Sequence, residues 1–391
     1  MKALRPDPKL ARRMEWRQTR QAYAIVGLLI ATTMGCSDSS EARDPNAPVV
    51  LVPVDTLVET ASELVGGVYD LAVAPDGEVH IADYGFKHVL VVGPDGSVRR
   101  TIGREGQGPG EFEMPYVVSA SADSLWVVDA TSNRVQVFDR PGNLGRSYLL
   151  DAPSLGSGRA FRGDGALGAT IDGFEGAMVL VLASDGTRIR MFGEPIVPNV
   201  SFYDFSALKA EIRDSRVPDA FRNRAMLAWA PDHSAYLAFL AEPEVRRYDA
   251  VGELLWASPL NEPVLRKVRE TFVRENIEEQ NPSRVHSLQY VSDLAVVDGN
   301  LWLLLNTASE RDGLLLVLDA DNASVLHRLS FSAMPNTGQF AVDESRGLLY
   351  LAARGEASVV VFDLCRVSEL TEDCGGARTR GDTLPSIRRP S

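Results

Sequence analysis

A short phrase recurs in this chain. Residues 70–102 read DLAVAPDGEVHIADYGFKHVLVVGPDGSVRRTI, and residues 117–142 read VVSASADSLWVVDATSNRVQVFDRPG. Asp83 in the first falls where Asp129 sits in the second, 46 residues on. A repeat of that length, made of short apolar runs and tight turns, is the signature of a propeller blade. Each unit has an apolar run, a turn, a strand opened by a large side chain, and a second strand ending in an Asp or Gly turn. The turn and large residue are Pro75-Asp76-Gly77 and His80 in the first unit, and Ala122-Asp123-Ser124 and Trp126 in the second. They are Gly163-Asp164-Gly165 and Leu167 in a degenerate third, and Pro231-Asp232 and Tyr236 in the fourth. Asp298-Gly299-Asn300 with Trp302, and Asp343–Gly347 with Tyr350, complete six units.

Runs of Val, Ile, Leu and aromatic residues suit strands, and Asp-Gly or Pro-Asp pairs reverse the chain. A lone small sheet cannot bury both faces. Stacked around an axis, each sheet covers its neighbour, and closing the ring removes most free edges. The expectation is an all-β, six-bladed β-propeller spanning 49–370. Val49–Val54 reads as a strand that completes the last blade, with Asp363–Leu370 as the alternative latch. Two stretches, 196–224 and 262–289, lengthen the connections between blades. Leu265, Val268, Phe272 and Ile277 stand near helical spacing in the second, which predicts a surface helix. Phe202, Phe205, Ile212 and Phe221 suggest another in the first. Insertions on a rigid scaffold are where binding surfaces are often built.

The N-terminus reads as an address. Ala22–Gly35 is almost wholly apolar and follows a basic stretch holding Lys2, Arg5, Lys9, Arg12, Arg13, Arg17 and Arg20. That suits the apolar segment of a secretory signal and is short for a membrane span. Gly35-Cys36 resembles a bacterial lipobox, although Thr33 stands where Leu is usual. The resemblance implies a signal peptide over 1–35, a lipidated Cys36 and a polar tether over 36–48. It also implies an extracytoplasmic protein, anchored to a bacterial membrane in the periplasm or at the cell surface. In an oxidising compartment Cys365 and Cys374 are expected to pair, pinning a polar tail at 371–391.

Charge narrows the partners. The chain carries a formal net charge of −13, and residues 1–35 hold seven of its basic and two of its acidic residues. The remainder is more acidic still and repels phosphate backbones, so nucleic acid is excluded as an expected partner. A protein, peptide or glycan remains, bound by a chain expected to be a monomer.

Gly103-Arg-Glu-Gly-Gln-Gly-Pro-Gly-Glu-Phe112 with Pro115, Asp129 and Asn133-Arg134 resembles the NHL-type repeat of six-bladed propellers. The resemblance covers the first two units and fades beyond them. It implies a binding or scaffold module, as in many anchored bacterial propellers. More distant six-bladed relatives include calcium-dependent lactonases and phosphotriesterases and a metal-dependent amidating lyase, so a calcium-dependent hydrolase or lyase at the central channel is the alternative. None of their catalytic motifs can be placed on this chain, and no cofactor is expected apart from calcium under that alternative.

Individual motifs add little chemistry. Gly103–Gly110 joins two blades rather than a strand to a helix, so it reads as a link and not a phosphate loop. His80 takes the place of an aromatic residue in other units, and the remaining histidines show no zinc spacing. Ser206-x-x-Lys209 lacks the companion motifs of a penicillin-binding enzyme. Asp319-Ala-Asp321-Asn322 reads as a hairpin turn. Aligning the units puts Asp70, Asp293 and Gln339 at equivalent positions on the innermost strands, with Tyr116 nearby. They are the possible central-channel ligands for a hard cation. The competing role is bonding to neighbouring backbone.

Overall fold

A computed structural model describes residues 47–58, 64–152, 155–198, 204–309, 311–332, 337–353 and 357–367. The expected signal segment, Cys36, Cys374 and the tail at 371–391 lie outside these residues.

The strands form six sheets arranged as a six-bladed propeller. The blades occupy 68–102, 115–149, 159–192, 225–259, 291–332 and 337–363, each a meander of antiparallel strands. Successive innermost strands pack side by side, and that of blade six returns to that of blade one. The second strand of a blade is almost wholly buried, as in Val79–Asp83, Ala235–Phe239 and Leu348–Ala353. The outermost strand alternates, as in Val98–Ile102. That pattern is what a radial stack requires: middle strands are covered on both faces, and rim strands on one. Apolar clusters lie in the seams between blades; one joins Trp302, Leu304 and Phe331 of blade five to Phe340, Leu351 and Phe362 of blade six.

The ring is closed by the N-terminal segment, but the expected single strand is split. Val49–Val50 runs parallel to the outer strand of blade five, pairing Val49 with Leu329. Pro53–Val58 then lies antiparallel on Ser358–Asp363 and supplies the fourth strand of blade six. Leu51, buried at the crossing, packs with Trp302, Phe340 and Leu364 in the seam between these blades.

The insertions carry three helices, α1 (Phe205–Arg213), α2 (Asp219–Arg222) and α3 (Pro263–Glu278). α1 packs on α3. Leu208, Ile212 and Phe221 meet Leu265, Val268 and Phe272 in one cluster with blades four and five. Two expected anchors differ. Ile277 and Phe205 are exposed, while Asn276 takes the buried place at the end of α3 and bonds Phe272 O and the His286 backbone. Phe202 lies outside the described residues.

Candidate binding site

Antiparallel pairing sets the end of each second strand beside the start of each first strand. Connections between blades and turns between second and third strands therefore share one face. Asp83 shows how the repeat builds it. Its carboxylate is fully buried and accepts backbone N–H groups from Gly66, Gly67, Gly85 and Phe86 at 2.8–3.1 Å. Asp129 does the same for Glu113, Met114, Thr131 and Ser132. Each aspartate ties the segment entering its blade to the turn leaving its second strand. In blade three Thr170 stands at the corresponding strand end; its Oγ1 accepts from Gly158 N at 3.1 Å and its carbonyl from Gly156 N at 2.6 Å.

The glycine-rich link is held in the same way. Gly110 N donates to the buried Gln136 Oε1 at 2.7 Å, and Gly108 N donates to Glu111 Oε2 at 2.9 Å. Arg134 bonds the carbonyls of Gln107 and Glu111. These N–H groups serve the link itself rather than an anion.

On this face the central channel opens into a pocket of about 210 Å³. Every inner strand or its entry segment contributes: Tyr69 and Asp70, Tyr116, Ser157 and Arg159, Arg224, Gln289 with Ser292 and Asp293, and Gln339. Asp70, Asp293, Gln339 and Tyr116 thus line a single pocket. Asp70 accepts from Leu71 N through one oxygen and from Val118 N of blade two through the other, both at 2.9 Å. Asp293 repeats the pattern with Leu294 N at 2.9 Å and Phe340 N of blade six at 2.8 Å. Each carboxylate therefore staples its inner strand to the next blade.

Two arginines that the sequence reading missed face the acids. Arg159 opens the inner strand of blade three, and Arg224 immediately precedes that of blade four. The guanidinium carbon of Arg159 lies 4.6 Å from the centroid of the Tyr116 ring, a cation–π distance. Its Nε has no hydrogen-bond partner, and burial pulls its pKa below the ordinary arginine value, with Tyr116 and Tyr69 as the opposing influences. Among the described residues no carboxylate pairs with it. Arg224 Nη2 donates to Ser157 Oγ at 3.2 Å. Behind it, burial raises the Asp172 carboxyl to about 6, against the pull of Arg224, and Asp172 Oδ1 is unpartnered. Blade three is the degenerate unit, with an inner strand of only three residues, Arg159–Phe161. That brevity hid both its register and its arginine.

Aromatic rings extend the pocket outward. Tyr69 lies 4.4 Å from Tyr116 and 5.5 Å from Tyr84, centroid to centroid. Tyr84 and its neighbour Phe86 are exposed at the rim.

The remaining candidates are structural. His80 is buried beside Glu78 and Arg100, and burial lowers it to about 4. Ser206 Oγ donates to Asp204 at 2.6 Å, while Lys209 Nζ donates to the carbonyls of Glu279 and Asn281 at 3.2 and 2.6 Å. Asp319 Oδ1 accepts from the backbone of Asp321 and Asn322, closing a turn. Cys365 is disulfide-bonded; Cys374, the expected partner, lies outside the described residues. Among the described residues no group of three or more His, Cys, Asp and Glu gathers to hold a metal.

No family model matches the chain, and neither does any curated protein. Solved structures do. Virginiamycin B lyase from Staphylococcus aureus is 12% identical with a TM-score of 0.45, covering 80% of this chain and 99% of its own. A streptogramin B lyase is 10% identical with a TM-score of 0.45, covering 80% of this chain and 96% of its own. The WD40 repeats of RRP9 are 11% identical with a TM-score of 0.47, covering 76% of this chain and 94% of theirs. The chain is similar to these in overall fold alone.

Proposed function

We propose that this chain is a binding module. In this reading it is an NHL-type propeller, tethered outside the cytoplasm of a bacterium through a lipid on Cys36, and it holds a protein, peptide or glycan on its insertion-bearing face. The observation that carries the reading is Arg159. A half-buried cation without a carboxylate partner, aimed into a pocket beside two tyrosines, is a feature that a purely structural ring does not need. The exposed Tyr84 and Phe86, with Phe205 and Ile277 on the insertions, supply apolar contact area on the same side. Binding is favoured over chemistry because both oxygens of Asp70 and of Asp293 already serve backbone N–H groups, and no histidine lines the pocket.

A photo-crosslinker placed at Phe86 is expected to capture a partner from envelope extracts, and one at Asp95 on the opposite face is not. Equal capture from both positions, or none from either, would count against the reading. Replacing Cys36 by Ser is expected to move the chain from the membrane to the soluble fraction. The second reading, a calcium-dependent hydrolase or lyase, draws on the sharing of one pocket by Asp70, Asp293 and Gln339. It requires stoichiometric calcium and a melting temperature that falls on chelation. An unchanged melting temperature is the outcome expected here.

A further inference from the structure

We infer that the mouth pocket recognises a singly charged acidic sugar, a hexuronate-type residue of a glycan, whose carboxylate docks between Arg159 and Arg224. The inference rests on the binding reading above and gives it a ligand class.

The charge layout comes first. Arg159 and Arg224 belong to blades three and four, whereas Asp70, Asp293 and Gln339 belong to blades one, five and six. In a ring of six, blade three stands opposite blade six, and blade four opposite blade one. The pocket is thus polarised, cationic on one arc and acidic on the facing arc. Arg159 and Arg224 stand on adjacent blades of one wall, and guanidiniums suit a planar carboxylate, which they hold with paired N–H donors. The facing carboxylates repel a second negative charge, so a phosphate chain or a polyacid fits poorly. A monoanion with a neutral body fits both arcs.

The body follows from the rest of the wall. Ser157, Gln289, Ser292 and Gln339 put hydroxyl and amide groups on the wall beside the Tyr69 and Tyr116 rings, the latter already carrying the Arg159 guanidinium on one side. Alternating hydroxyls with one flat apolar face is the chemistry of a pyranose, not that of an apolar peptide side chain. The size allows it: about 210 Å³ is far above the ~10–15 Å³ of such volume that one water needs and leaves room for a small polar ring. Beyond it, exposed Tyr84 and Phe86 form a ledge for the next residue of a chain.

The test titrates the full-length chain with galacturonic acid and glucuronic acid, each a monoanion, with their methyl esters, and with N-acetyltyrosine and its amide. The acids are expected to bind at least tenfold more tightly than their esters, about 1.4 kcal/mol. R159Q and R224Q are each expected to abolish that preference, and R159K to lose most of it because the fork is gone. Amide exchange in the blades is expected to stay unchanged in all three variants, which separates a lost contact from a misfolded ring. Acid and ester binding alike, or a preference that survives both glutamine variants, overturns the inference. So does binding of N-acetyltyrosine over its amide with the uronates inert, although that outcome leaves the binding reading standing. If no probe binds, the inference is overturned; if crosslinking at Phe86 also fails, so is the binding reading.

Discussion

Asp83 and Asp129 each gather four backbone N–H groups in a buried place. Truncating either to Ala orphans those donors, and a cost of about 3 kcal/mol or more is expected in denaturant unfolding. His80 is a different case, because neither ring nitrogen has a hydrogen-bond partner. Its folded value of about 4 lies below the ordinary 6.5. Its contribution to stability is therefore fully present above 6.5 and is lost as pH falls toward 4. H80Y, which restores the aromatic residue of other blades, is expected to gain about 2 kcal/mol on the wild type near pH 4 relative to pH 8. Asp172 has the opposite sign. Its folded value, about 6, lies above the ordinary 3.8, so its contribution is present below 3.8 and is lost as pH rises through 6. D172N is expected to stabilise the chain by about 1–2 kcal/mol near pH 8 and to be neutral near pH 3.5, with the difference read from paired melts. The recurring aspartates were legible because the same residue returns at the same offset. Arg159, Arg224 and Asp172 were not, because none of them belongs to the turn and strand-end pattern that repeats.

Among the elements, strands were easy to read and their partners were not. Val49–Val54 has the composition of one strand, yet the chain switches blades at Leu51-Val52. Composition carries no information about which of two neighbouring sheets has a vacant edge. The helix α3 was legible through Leu265, Val268 and Phe272, and its final turn was misread because Asn276 is buried by hydrogen bonds rather than by apolar surface. Lys209 is the staple of this region. The buried ammonium joins α1 to the segment after α3 through two carbonyls. K209M keeps the apolar stem and removes the donors. Hydrogen exchange across 204–222 is expected to accelerate while the melting temperature of the blades stays within a degree or two, since most of the ring's contacts are elsewhere.

For the molecule as a whole, the period of 46 residues and six large-residue positions were enough to count the blades. A ring closed by its N-terminus behaves differently from an open row of sheets. Because Pro53–Val58 is the outer strand of blade six, a ribbon made before blade one has nowhere to dock until Ser358–Asp363 has emerged. Throughout that interval the unpaired ribbon is exposed to whatever chaperone meets the nascent chain. A polypeptide cut short before blade six leaves it stranded, with the circle gaping at one seam.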